Sequence, residues 1–285
     1  MDRVLGSYLR AVTRRGVSGG GLPERRLLLP ERAADPGRLA DYRRICGFPA
    51  VTAVTAAPAD GPLPPTYPHL LAFPAALRLM TAPGFPLPLL GLVHIANTVG
   101  IRRPVAAREP LAVEVWTEGL REHPRGTAFE VVAVARAAGE EVWVSRSTYL
   151  HRSRPGGPPV PVAAGVEPLP GPFESWPLTG ATGRRYAAVS GDRNPIHLSA
   201  LTARPFGFRR AIAHGMWTKA RALAALGDRL PPAAEIEVAF RAPVPLPGTV
   251  RFAAAERDGR TELLLTDRAG TRTHLRGSVT ARQLP

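Results

Sequence analysis

The 285 residues carry a formal charge of +14, with 45% hydrophobic and only 6% aromatic residues. That length supplies a core for one large domain or two ordinary ones, no apolar run approaches the ~18 residues of a membrane span, and the single cysteine, Cys46, excludes an internal disulfide and argues against a metal cluster. The positive charge is nearly all arginine, in nothing longer than pairs such as Arg14-Arg15 and Arg209-Arg210, with one lysine, Lys219; no aromatic-studded basic strand is there to stack bases, so nucleic acid is set aside. A phosphorylated or acidic partner suits such a surface equally well.

MDRVLGSYLRAVTRR (1–15) is too charged for a secretory segment. Its Arg-rich, acid-poor character resembles a transit peptide only faintly, and the reading kept is a cytoplasmic protein. DYRRICGFP (41–49) reads as a short helix stopped near Gly47, and HLLAFPAALRLMTA (69–82) as another short helix, entered through Pro74. IRRPV (101–105) precedes LAVEVWTE (111–118), whose alternation predicts a half-buried strand. FEVVAVARAAGEEVWVSRSTYLHR (129–152) predicts two more, joined at Ala138-Gly139. Residues 153–178, SRPGGPPVPVAAGVEPLPGPFESWPL, are dense in Pro and Gly, lack periodicity, and read as a linker. Beyond them, RYAAVSGDR (185–193) reads as a third short helix. IAHGMWTKARALAALGDRL (212–230) is a helix with Ile212, Met216, Ala220 and Leu223 on one stripe, stopped by Gly227 and Pro231-Pro232. FRAPV (240–244), TVRFAAAE (249–256) and TELLLTDRAGTRTHLRGSVTAR (261–282) restate the strand pattern, with a hairpin signal at Ala269-Gly270.

The order of these features repeats. Tyr42 aligns with Tyr186, IRRPV with FRAPV, and each is followed by its strands. We therefore expect a duplicated α+β fold, each copy an antiparallel sheet wrapped around a central helix, with halves at 1–152 and 179–285. The alignment sets Phe48 opposite Asp192 and Ala53 opposite His197. Both copies need a core, so a polar pair present in one alone points to function. In SGDRNPIH (190–197), Asn194-Pro195 supplies a turn that can aim Asp192 and His197 at a common point. Downstream, the first N–H groups of the central helix lack intrahelical partners. Gly215 admits a carbonyl close to that positive end. An acid/base pair beside an amide donor suits chemistry at the carbons α and β to a thioester carbonyl. His214 reads as a helix-start residue bonded to backbone, and His94 as a core or pocket residue.

YAAVSGDRNPIHLSALTARPFGFRRAIAHGMW (186–217) closely resembles the motif of MaoC-like, R-specific enoyl-thioester hydratases and dehydratases, which are hotdog-fold enzymes. The match rests on Tyr186, Gly191-Asp192, Asn194-Pro195, His197, Phe206-Gly207 and Ile212 to Met216. The duplication resembles the double-hotdog branch, and LPPTYPHLLAFP (63–74) is similar to the actinobacterial (3R)-hydroxyacyl-thioester dehydratases. The resemblance implies that Asp192 and His197 are the catalytic pair, that the Gly215 amide holds the thioester oxygen, and that no metal or redox cofactor takes part. It implies an acyl-CoA or acyl-carrier-protein substrate, and a first half whose shortened helix region opens an acyl pocket lined by Tyr67, Leu70, Leu71 and Phe73. A hotdog thioesterase, or a non-catalytic acyl-thioester-binding subunit, are the alternative readings. The chain would act as a monomer or a homodimer.

Overall fold

The computed structural model describes residues 20–49, 61–89, 91–153 and 168–284. Ala53, the Arg-rich start and residues 154–167 of the linker lie outside them. The first half runs β1 (Leu27–Arg32), α1 (Pro36–Cys46), α2 (Tyr67–Met80), β2 (Leu92–Ile101), β3 (Leu111–His123), β4 (Gly126–Ala137) and β5 (Glu140–Arg152). The second runs β6 (Glu174–Leu178), α3 (Thr182–Ser190), a 3-10 turn (Pro195–His197), α4 (Ala200–Ala203), β7 (Ala211–Ile212) and α5 (Gly215–Ala224). It continues with β8 (Ala234–Phe240), β9 (Pro245–Leu246), β10 (Gly248–Arg257), β11 (Arg260–Asp267) and β12 (Thr273–Ala281).

Among the described residues, ten strands form an antiparallel sheet in the order β1-β3-β4-β5-β2-β8-β12-β11-β10-β6. Read outward from the middle, the two halves list their strands in the same sequence, which is the duplication written in topology. They join where β2 pairs β8, from Ala96 opposite Ala239 to Ile101 opposite Ala234. Alternation explains the strands: in β3, Leu111, Val113 and Val115 are buried while their neighbours are partly exposed. Both residues of the β4–β5 turn, Ala138 and Gly139, have positive φ (48° and 84°), as a two-residue hairpin requires. The short helices α1 and α3 each stop at a left-handed glycine, Gly47 and Gly191. Asp35 caps the start of α1 by accepting from the Arg38 amide at 2.7 Å.

Three expectations need correction. Helix α2 does not begin at Pro74; it starts at Tyr67 with Pro68 in its first turn, and Pro74 is interior. A proline there forfeits one backbone hydrogen bond, but nearly every residue of α2 is buried, and that packing holds the helix through it. With 14 residues against 10 in α5, the helix of the first half is the longer one, not the shortened one. Second, the 212–230 helix is interrupted. Ile212 is held in the β7–β9 pairing, the α-helix covers Gly215–Ala224, and Gly227–Arg229 form a separate 3-10 turn. Third, residues 174–178 of the expected linker are β6, an edge strand on β10 with Trp176 and Leu178 buried. Its Pro177 is tolerated because the strand is an edge. Among the described residues, no helix is long and apolar enough to cross a membrane.

Candidate active site

A run of short-range bonds builds the SGDRNPIH loop. Ser190 Oγ accepts from the Asp192 amide at 3.1 Å, Asp192 Oδ1 accepts from the Asn194 amide at 3.1 Å, and Asn194 Oδ1 accepts from the Ile196 amide at 3.4 Å. Each side chain fastens the backbone two residues on, the Asx pattern that Ser, Asp and Asn favour in turns. Gly183 on α3 is needed for the same loop: a Cβ there would stand 2.1 Å from the His197 carbonyl oxygen. His197 is buried and its Nδ1 lies 2.8 Å from the Ile212 carbonyl. A carbonyl only accepts, so Nδ1 carries the proton and Nε2 of the neutral ring keeps a free lone pair.

His214, the residue before α5, donates from Nε2 to the Asp192 backbone carbonyl at 3.0 Å. Its ring stacks on His197 with centroids 3.7 Å apart and lies 4.9 Å from Tyr186. The expected role of His214 as a backbone-bonded helix-start residue is what the structure has. It also packs the SGDRNPIH loop against α5. Asp192 Oδ2 is 3.9 Å from His214 Nε2, and one ligand-type atom from each of Asp192, His197 and His214 lies within 4.8 Å of the others. Three such groups could be thought a metal site. Stacked imidazoles, however, direct their lone pairs along nearly parallel planes, whereas ligands of one ion must converge on it.

Burial holds His197 below its usual range, opposed by the Asp192 charge and the bond to Ile212. Burial and the neighbouring His197 push His214 down to about 3. Both rings are therefore neutral at neutral pH, and the half-buried Asp192 carboxylate faces an imidazole ready to take a proton. Beside them, α5 opens with Gly215, whose first-turn N–H has no intrahelical acceptor. A Cβ on Gly215 would meet the Phe240 ring at 3.2 Å, so glycine keeps this helix end against the cavity wall.

Asp192, His197, His214 and Gly215 line one cavity of about 580 Å³. Its rim carries exposed Arg152, Arg241 and Arg272. Its inner wall comes from the first half: His69, Leu70 and Phe73 of α2, with Leu92, His94 and Tyr149 from the sheet. Leu70 and Phe73, two of the four residues named for an acyl pocket, thus line the cavity. Tyr67 and Leu71 do not; they are buried in the core, Tyr67 edge-on to Tyr42 at 5.4 Å. Residues 67 and 71 share one face of a helix and 69 and 73 another, with residue 70 between them.

Sequence reading missed two residues here. Arg38 of α1 reaches across the halves, donating from Nε to the Val189 carbonyl at 2.7 Å and from Nη2 to the Ser190 carbonyl at 3.4 Å. Lys219 of α5 is fully buried, its Nζ donating to Asn97 O (3.1 Å), Asn97 Oδ1 (2.7 Å) and Ile236 O (3.1 Å). A lone lysine on an apolar helix stripe was a visible flag. Arg38 offered none, because its partners are about 150 residues away.

Comparison with known proteins gives the family of the chain. The profile of the family described as "MaoC like domain" matches residues 169–273, the half that carries the pair. Over 260 residues the chain is 37% identical to 3-hydroxyacyl-thioester dehydratase X of Mycobacterium tuberculosis, covering 90% of this chain and 90% of that protein. This chain belongs to the MaoC-like dehydratase family. The crystal structure of HtdX from M. tuberculosis superposes on this MaoC-like chain with a TM-score of 0.77 at 34% identity, covering 90% of this chain and 100% of that one. An M. tuberculosis protein described as having a double hotdog fold matches at a TM-score of 0.55 and 14% identity, over 92% of this chain and 98% of its own. The architecture of this MaoC-like protein is the double hotdog.

Proposed function

We propose that this chain reversibly removes water from (3R)-hydroxyacyl thioesters, giving trans-2-enoyl thioesters, with Asp192 and His197 as the acid/base pair. The observation that carries the reading is their convergence beside a free helix-start amide inside one cavity. A thioester oxygen accepting from the Gly215 N–H gains a partner for the negative charge that develops when Cα loses its proton. One of the two, His197 Nε2 or the Asp192 carboxylate, takes the Cα proton, and the pair returns that same proton to the Cβ hydroxyl as the C–O bond breaks and it leaves as water. Both groups approach from the same side of the substrate, so water leaves and returns syn. The roles of acid and base are therefore assigned to the pair and not divided between its members. No metal takes part. The arginine rim suits the phosphates of coenzyme A or of a carrier protein's prosthetic arm, and the first half houses the acyl tail.

The test is a hydration assay run in the presence of a chelator. Trans-2-enoyl-CoA of several chain lengths should lose enoyl absorbance on mixing, and chiral analysis should return the 3R alcohol. Release of free CoA in place of hydration would establish a thioesterase and overturn the proposal.

A further inference from the structure

Along the sheet, several arginines stand beside glutamates: Arg136 by Glu114, Arg146 by Glu118, and Arg260 and Arg276 by Glu262. The cavity mouth is different. Arg125, Arg152, Arg241 and Arg272 line it, and among the described residues no carboxylate pairs with any of these guanidinium groups. The fold sets them in two pairs. Arg152 ends β5 opposite Gly126, which places Arg125 beside it on the adjoining turn; the Arg125 amide there donates to His123 Nδ1 at 3.2 Å. Arg241 follows β8, and its amide donates to the His274 carbonyl at 2.9 Å, close to Arg272 at the start of β12. Asp267 fastens the turn that carries Arg272: its Oδ1 accepts from the Thr271 and Arg272 amides at 2.8 and 3.0 Å, and its Oδ2 from the Thr271 hydroxyl at 3.0 Å. Each half thus supplies one pair at the same end of the sheet. Only β2 lies between β5 and β8, which puts those two strands about 10 Å apart.

We propose that the two arginine pairs form a two-site phosphate clamp that selects a free coenzyme A thioester over a carrier-protein thioester. This inference rests on the dehydratase reading above and names the carrier of its substrate. Coenzyme A has a diphosphate near the middle of its length and a further phosphate on the 3′ oxygen of its ribose. The arm of a carrier protein has a single phosphodiester and no nucleotide. Two cationic pairs on either side of β2 therefore match coenzyme A, whereas a carrier arm leaves one pair idle. Arginine presents a planar fork of donors that fits phosphate oxygens. Keeping like charges together without a counter-charge costs self-repulsion, which bound phosphates relieve. The bonds from Asp267 fix the backbone of Arg272 before the ligand arrives, so less freedom is lost on binding.

The experiment compares one trans-2-enoyl group carried on coenzyme A, on dephospho-coenzyme A, on pantetheine and on an acyl-carrier protein. For the wild type, kcat/KM should fall about tenfold when the 3′-phosphate is removed, and about tenfold again when the rest of the nucleotide is removed, as charge-assisted bonds are lost. The carrier-protein thioester should fall below the coenzyme A thioester. Two double variants, Arg125→Ala/Arg152→Ala and Arg241→Ala/Arg272→Ala, then separate the sites. In one, the ratio of coenzyme A to dephospho-coenzyme A should drop to about one; in the other, the ratio of dephospho-coenzyme A to pantetheine should do so. Each ratio is internal to a preparation, so partial misfolding of a variant does not mimic the effect. The inference is overturned if the wild type treats coenzyme A and dephospho-coenzyme A alike, if neither double variant changes either ratio, or if the carrier-protein thioester is preferred. Calorimetric titration with free coenzyme A and dephospho-coenzyme A repeats the comparison without turnover. A protein that hydrates none of the substrates yet binds coenzyme A the more tightly would overturn the dehydratase reading and leave the clamp standing.

Discussion

Tyr42 of the first half stacks at 6.3 Å on Phe48, six residues along; Tyr186 of the second half is followed at the same spacing by Asp192. The flanking elements are the same in both places: a short helix, a left-handed glycine, and later a central helix and the strands. The clefts beside them differ. FRAPV residues line the 580 Å³ cavity that holds Asp192 and His197, while IRRPV residues line a cleft of about 270 Å³ walled by Phe48, Pro104, Val105 and Trp143. One copy keeps the acid/base pair and the other gives its own counterpart position to packing. The first copy contributes residues of its central helix and sheet to the wall of the cavity that holds the pair. The proposed active site is thus composite, with the acid/base pair from one half and part of the cavity wall from the other.

The largest break of this comparison is to remove the pair. Asp192→Asn and His197→Gln should each lower hydration kcat by about 10³-fold, within the range of general acid–base contributions. Near-UV circular dichroism should match the wild type, because both changes keep shape and the loop's own bonds. Residual turnover close to wild type in both variants would mean that the first half, or another group, does the chemistry.

How much of this the sequence revealed follows from the range of each interaction. The Asp192–His197 loop is held by bonds two residues apart, so its meaning is local and readable. The repeat and the Ala138-Gly139 hairpin are equally local. Helix α2 was only half readable: with nearly every residue buried, hydrophobic periodicity cannot separate the cavity face of Leu70 and Phe73 from the core face of Tyr67 and Leu71. Strand β6 was hidden by the prolines before and within it, although Trp176 and Leu178 alternate as a strand should. His94 could be flagged but not placed, since its neighbours Tyr149 and Phe240 come from two other strands.

The seam between the halves can be weakened without touching the chemistry. Lys219 sits on the second half's central helix and bonds both strands of the junction, Asn97 on β2 and Ile236 on β8. Burial presses its amine well below the usual lysine range, yet three acceptors surround it. Lys219→Met removes the cost of burying the amine but strands Asn97 Oδ1. An unsatisfied buried acceptor costs about 1–3 kcal/mol, so we expect the variant to lose about 2 kcal/mol by urea denaturation. Adding Asn97→Leu should cost less than the sum of the two single changes, because the first change has already emptied one of that side chain's bonds. A fully additive double variant would show that the two residues do not act as one tie.

The smallest change probes how the first half positions the acid/base pair proposed for the second. Val189 and Ser190 are the last residues of α3, so their carbonyls belong to the set that no intrahelical N–H satisfies. Arg38 closes them from α1 and brings a cation to that negative helix end. Gly191 and Asp192 follow directly, and any fraying of the α3 end is passed to the Asp192 carboxylate. Arg38→Ala should therefore reduce kcat by about tenfold, since small misplacements of a reacting group are costly. KM should change little, because Arg38 is absent from the cavity wall. Arg38→Lys keeps the charge but loses the planar fork that serves two carbonyls, so it should recover only part of the rate. Equal losses in kcat and stability with no rescue by lysine would reduce Arg38 to a fold contact. A kcat loss with lysine rescue would show that the half without an acid/base pair still governs where that pair stands.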